Sequence, residues 1–295
     1  MSEAKVRDAA PAGTALLWGG LGVLIFSASL PATRMAVVGG LDPAFIGAGR
    51  AAVAGLLAAI LLGIRRELRV PQGTWPSLLL VSAGVVFGFP ILTSLALARV
   101  PAVHGAVLTG LLPAATAVMG VVRAGDRPKL GFWLSAGAGL LCVLVFAAVQ
   151  GAGELDIADL LLLAAIGLCG LGYAEGAVLS RTLGGLRVIS LALVISLPVS
   201  IPLGLLRLTP GTLEGTASGW AGFAYVALFS SYVGFFAWYR GLAAGGVARI
   251  GQLQLAQPVL SLGWAALLLG ETVTLQAGIA ALAVIACVVA TQRAR

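Results

Sequence analysis

The chain has 295 residues, 60% of them hydrophobic and only 10% charged, against about 25% charged in an ordinary soluble domain. That balance excludes a water-soluble globule, because the missing polar surface has to be replaced by contact with lipid. The formal charge of +7 comes from basic residues scattered singly or in short clusters between apolar stretches, which excludes a nucleic-acid-binding stripe and matches the basic excess of cytoplasmic loops.

A helix rises about 1.5 Å per residue, so roughly 20 residues cross a hydrocarbon core of about 30 Å. On that basis we read ten spans, at about 12–31, 43–64, 74–98, 102–122, 130–149, 157–180, 187–206, 217–239, 246–269 and 273–291. The first follows MSEAKVRDAAPAG and is as hydrophobic as its successors, so it reads as a span, not a cleaved leader. It carries Ser27 and Ser29, which with Ser94 and Tyr173 of later spans are candidates for lining a substrate cavity, and Pro31 marks its end. The second holds Arg50 about two turns inside the membrane. There it either snorkels or pairs structurally, or it attracts a substrate carboxylate with its guanidinium fork. The third contains SAGVVFG at 82–88 and Ser94, and the fourth starts with His104, the lone histidine, which reads as a structural hydrogen-bonding or vestibule residue.

The sixth span contributes Tyr173 and Glu175. Glu175 precedes Arg181 by about one and a half turns, so it either pairs with that arginine or serves proton coupling. In the eighth, Tyr225, Phe229, Tyr232, Phe236 and Tyr239 recur at helical spacing and predict one aromatic face. Such a face forms either a tight interface or a cavity wall. In the ninth, Gln254, Gln257 and Ser261 share a face near Pro258 and predict interhelical bonding or recognition of an amino or carboxylate group. Cys142, Cys169 and Cys287 lie singly in apolar segments, which predicts packing and neither disulfides nor metal.

With both termini inside, the cytoplasmic ends and loops hold 14 basic residues, among them Lys5, Arg65, Arg187 and Arg240, against Arg34, Arg99 and Arg207 outside. The positive-inside rule therefore predicts cytoplasmic termini. An internal repeat recurs at an offset of 145 residues: Trp75 pairs with Trp220, Ala96 to Ala98 with Gly241 to Ala243, Pro113 with Pro258 and Asp126 with Glu271. Repeats over 1–150 and 151–295, each of five spans, must enter the membrane in opposite orientations.

These features resemble the drug/metabolite transporter superfamily, specifically its ten-helix proteins with two EamA domains. The resemblance is carried by WGG at 18–20, Arg50 in FIGAGRAAVAGLLAA, LLPAATAVMGVVRAGDRP at 111–128, and QLAQPVLSLGWAALLLGETVTLQAGIAALAVIACVV at 254–289. Gly125-Asp126 stands where the pattern has Gly-Glu. The resemblance implies an all-α membrane protein of two inverted five-helix repeats in a bacterial inner membrane. It implies a secondary transporter that exports amino acids and related amphipathic metabolites, similar to exporters of aromatic amino acids and methyl viologen. Coupling to protons or to substrate exchange is open. The alternatives are a channel or facilitator, and an intramembrane lipid-modifying enzyme. The chain has no recognisable selectivity filter and no GxxxxGK[ST], HExxH or GxSxG motif, so neither metal nor cofactor is expected.

Overall fold

Long runs of Leu, Ala, Val and Gly satisfy every backbone group only as helices once water is absent. The computed structural model describes residues 12–124, 129–150, 156–245 and 252–294, and it is all helical there. Eight helices are long and apolar enough to cross a membrane: α1 (Gly13–Val38), α2 (Pro43–Arg65), α3 (Trp75–Ala96), α4 (Ala102–Val122), α5 (Leu130–Val149), α6 (Ile157–Leu183), α7 (Gly185–Arg207) and α8 (Ala217–Gly241). Two shorter apolar helices follow, α9 (Leu253–Leu269) and α10 (Leu275–Thr291). The Gly125-Asp126 turn, both chain ends and the predicted start of the ninth span at 246–251 lie outside the described residues.

Short polar side chains set the helix starts. Asp42 accepts from Phe45 N at 2.8 Å, Asp156 and Asp159 form a reciprocal capping box on α6, and Thr274 accepts from Ala277 N. These contacts satisfy first-turn donors that the helix itself leaves free. Glu271 does the same across the fold: its two carboxylate oxygens accept from Ala102 N and Val103 N at 2.9 and 2.8 Å. The preceding Gly270 closes α9 in the left-handed conformation, φ 65°, so the Gly-Glu pair stops one helix and caps another. Glu271→Ala is expected to cost about 1–2 kcal/mol, read as a lower unfolding temperature and faster amide exchange at Ala102 and Val103.

The first span runs on past Pro31 to Val38, with a break at Ala28. Proline lacks the N–H that the carbonyl four residues earlier would receive, and here that carbonyl belongs to Ser27. Ser261 Oγ of α9 donates to it at 2.7 Å, and Trp264 Nε1 donates to Ser27 Oγ at 2.9 Å. The bend is therefore stabilised by the helix it faces.

The main packing pairs are α2 with α7, α1 with α8, α3 with α6, α4 with α6, α1 with α9, and α5 with α10. Exchanging each helix for the one five places along returns the same set. α3 and α8 each contain a π-helical stretch, Ser82–Gly88 and Tyr225–Val233, whose last residues are 145 apart. Glycine lets the crossings close: a Cβ at Gly84 would lie 2.3 Å from Leu168 O on α6, and one at Gly222 would lie 2.4 Å from Ala32 O on α1. The outer surface carries large apolar side chains such as Leu17, Ile64, Leu134 and Leu267, which need lipid around them.

Candidate functional site: a buried arginine in a central cavity

Arg50 on α2 lies at the centre of the packed helices, 4% exposed. Its Nε donates to Ser231 Oγ at 2.8 Å and its Nη2 to Ser230 Oγ at 2.9 Å. Ser230 Oγ in turn lies 2.7 Å from Ser29 Oγ of α1, and Ser231 Oγ donates to Val226 O at 2.9 Å. That last bond reaches back five residues, the pitch of the π stretch, and the stretch places two consecutive serines against one guanidinium.

No carboxylate among the described residues is within ion-pairing reach of Arg50, so it has no counter-charge there. A guanidinium held in low dielectric without a counter-ion costs several kcal/mol. Neutral hydroxyls accept two of its five N–H donors without cancelling its charge, so the centre of the molecule remains electropositive.

Arg50 borders a cavity of about 40 Å³, room for two or three waters and far below the several hundred Å³ of a ligand pocket. The polar lining comes from Ser29, Arg50, Ser230, Ser231, Tyr173 and Gln257, and the apolar lining from Val85, Val86, Phe89, Leu112, Ile189 and Leu193, with Phe26 and Phe235. The division follows the offset of 145 residues seen in the sequence. Val85 and Val86 stand 145 residues before Ser230 and Ser231, and Leu112 stands 145 before Gln257. Equivalent positions face one space, and the two halves have filled them with opposite chemistry.

Of the residues singled out in the sequence, Arg50, Tyr173 and Gln257 meet at this cavity. Gln254 is buried just beside it, in a recess of about 10 Å³ that it shares with Gln257 and Pro258, and its Nε2 has no partner. The predicted aromatic face of α8 does not line the cavity. The wider turn over Tyr225–Val233 breaks the 3.6-residue period, so the five rings diverge. Phe229 is 47% exposed and stacks on Tyr225, whose hydroxyl donates to Ile25 O at 2.9 Å. Phe236 packs edge-on against Trp18. Tyr232 packs against the apolar cluster around α7, its hydroxyl buried and unpartnered.

Ser27 belongs to the α1 bend, and Ser94 Oγ donates to Pro90 O at 2.7 Å within α3; neither lines this cavity, since hydroxyls buried in a helix find a carbonyl one turn back. His104 lies in a different recess, of about 480 Å³, where its Nε2 is 2.6 Å from Asp159 Oδ1. Glu175 is buried on α6 and accepts from Ser77 Oγ, while Arg181 is exposed at the helix end. Ser230, Ser231 and Phe235 were missed by periodicity. The serine pair in an otherwise apolar span was the available signal, because two adjacent hydroxyls in hydrocarbon need a partner.

A multi-pass helical protein with a charged, water-sized cavity at the crossing of its spans has the build of a membrane transporter. Residues 13–148 and 156–291 each match the EamA-like transporter family, and the chain belongs to that family. It is 50% identical over 276 residues to the uncharacterized transporter YdeK of Bacillus subtilis (strain 168), spanning 93% of this chain and 96% of that one. A solved crystal structure shares the fold, with a TM-score of 0.64 at 19% identity, covering 94% of this chain and 97% of its own.

Proposed function

We propose that the chain is a secondary transporter that exports amino acids and related amphipathic metabolites, holding the carboxylate of its cargo on Arg50. The observation that carries this reading is the buried guanidinium, bonded only to hydroxyls among the described residues and facing a cavity whose other wall is apolar. A planar fork suits a carboxylate, and the apolar wall suits a side chain. In this reading the two halves, 1–150 and 151–295, are five-helix repeats inverted in the membrane with both termini in the cytoplasm. The family match in each half, the packing pattern that repeats five helices on, and the paired π stretches support it.

The cavity is too small for an amino acid, so the structure corresponds to a closed arrangement and cargo enters only when one side opens. The cycle is alternating access: cargo shifts the balance only by binding the two arrangements differently. Glu175, a membrane-depth carboxylate two residues from Tyr173 in the cavity wall, is the coupling site in this reading.

Purified protein in proteoliposomes is expected to show saturable counterflow of threonine, methionine or phenylalanine. Phenethylamine, which lacks the carboxylate of phenylalanine, is not expected to move. Equal flux of the amine, or no flux across a broad metabolite panel by folded protein, overturns the assignment of cargo. Glu175→Gln is expected to lose accumulation driven by a proton gradient while retaining exchange. Proton-driven accumulation unchanged in that variant removes Glu175 from the coupling step.

A further inference from the structure

At the basic end of the molecule a recess of about 320 Å³ opens between the C-terminal ends of α2 and α8 and the turn joining α6 to α7. Arg65, Arg187 and Arg240 line it together with one carboxylate, Glu67. Among the described residues none of these four forms an ion pair. Three guanidiniums around one concavity repel each other, and the potential they create concentrates anions there.

Two of the three are held in place by other contacts. Arg240 lies over the Trp18 ring, 4.6 Å from its centroid, a cation–π contact that fixes the charge at the rim. Arg187 donates Nη2 to Arg69 O at 3.2 Å, while its Nε is buried and has no acceptor. A buried charged donor without an acceptor is unfavourable, so the Arg187 guanidinium is under-satisfied beside the recess that it lines.

The start of α7 adds to the same field. Gly184 precedes it and offers no side chain to accept from the first-turn N–H groups, whereas α2, α6 and α10 are capped by Asp42, Asp156 and Thr274. Gly185, Leu186 and Arg187, which carry those first N–H groups, all line the recess. An uncapped helix start presents donors and the positive end of the dipole to an anion.

We propose that this recess binds a phosphate group, presented by the headgroup of an acidic phospholipid or by a free phosphate. Guanidinium forks match phosphate geometry, and basic pockets between spans at the cytoplasmic face are where anionic headgroups bind. Orienting the chain by the positive-inside rule requires positive charge at this end; it does not require three arginines gathered around an uncapped helix start with a buried Nε left open. The recess at the opposite end is the contrast. Its carboxylates Asp156, Asp159 and Glu271 already accept from backbone N–H groups, and Asp159 also pairs with His104, so its hydrogen-bonding groups have partners within the fold. Because α2 and α8 carry Arg50 and its two serines, an anion bridging their ends with α7 favours the arrangement in which those ends are together.

The test is thermal unfolding of the full chain in neutral detergent, titrated separately with phosphatidylglycerol, phosphatidylcholine and inorganic phosphate. Phosphatidylglycerol is expected to raise the unfolding temperature by several degrees, and phosphatidylcholine to leave it unchanged. The double variant Arg187→Gln with Arg240→Gln is expected to need about tenfold more lipid for the same shift. Arg65→Gln, at an exposed position, is expected to weaken the response in the same direction, which keeps the test decisive if the double variant does not fold. Arg181→Gln, exposed at the same end but outside the recess, is expected to respond as the wild type does. A shift with inorganic phosphate alone assigns the site to a soluble phosphate; a shift with lipid alone assigns it to a headgroup. Equal shifts with both lipids, no shift with any anion, or a full response from the arginine variants overturns the proposal.

Discussion

Arg50→Met is expected to lower transport efficiency by about a hundredfold or more while leaving the protein at least as heat-stable as the wild type. Losing a buried charge-assisted contact to a carboxylate costs about 2–5 kcal/mol, and each 1.4 kcal/mol is tenfold. Stability moves the other way because methionine fills much of the same space without the desolvation cost of an unneutralised guanidinium. The serines are not orphaned, since Ser230 keeps Ser29 and Ser231 keeps Val226 O. Arg50→Lys keeps the charge but cannot reach both serines with one planar fork, so only partial recovery is expected. Phe229→Ala, on the lipid-facing side of the same π stretch, is expected to stay within about twofold of wild type. The paired readout is counterflow in proteoliposomes and thermal unfolding in detergent. A variant that transports normally removes Arg50 from cargo binding, and one that unfolds readily makes it a structural residue.

Gly84→Val is expected to destabilise the protein on the order of 3 kcal/mol, a fall of roughly 10 °C in unfolding temperature. The added Cβ would lie 2.3 Å from Leu168 O and 3.1 Å from Gly172 Cα. Both are backbone atoms in the middle of α6, so no side chain can rotate away and the two helices must separate. In lipid that separation forfeits the close van der Waals packing that holds spans together. Gly137→Ala is the control: nothing lies within 4 Å of a Cβ there, and the gain in helix propensity is expected to leave stability equal or slightly raised. Equal melting of Gly84→Val and wild type would show that α3 and α6 do not cross as closely as drawn.

Much of the fold is legible without coordinates, and the reasons are local. The length of each apolar run, set against hydrocarbon thickness, gives the spans from 43–64 to 217–239 within a few residues of the helices observed. Pro31 misled because proline breaks a hydrogen bond without ending the helix when another group, here Ser261, takes up the freed carbonyl. Arg50 and Gln257 were legible because a charge or an amide in hydrocarbon needs a polar setting whatever surrounds it.

The sequence by itself determined the helices, their number of apolar runs and the offset of 145 at which they recur, because hydrogen bonding in lipid and hydrocarbon length act on each segment alone. Only the tertiary structure decided which faces turn inward. Lipid-facing and protein-facing apolar surfaces carry the same side chains, and a π turn at Tyr225–Val233 rotates everything after it by an amount no spacing rule contains. That rotation directs Ser230 and Ser231, and not the tyrosines, to Arg50.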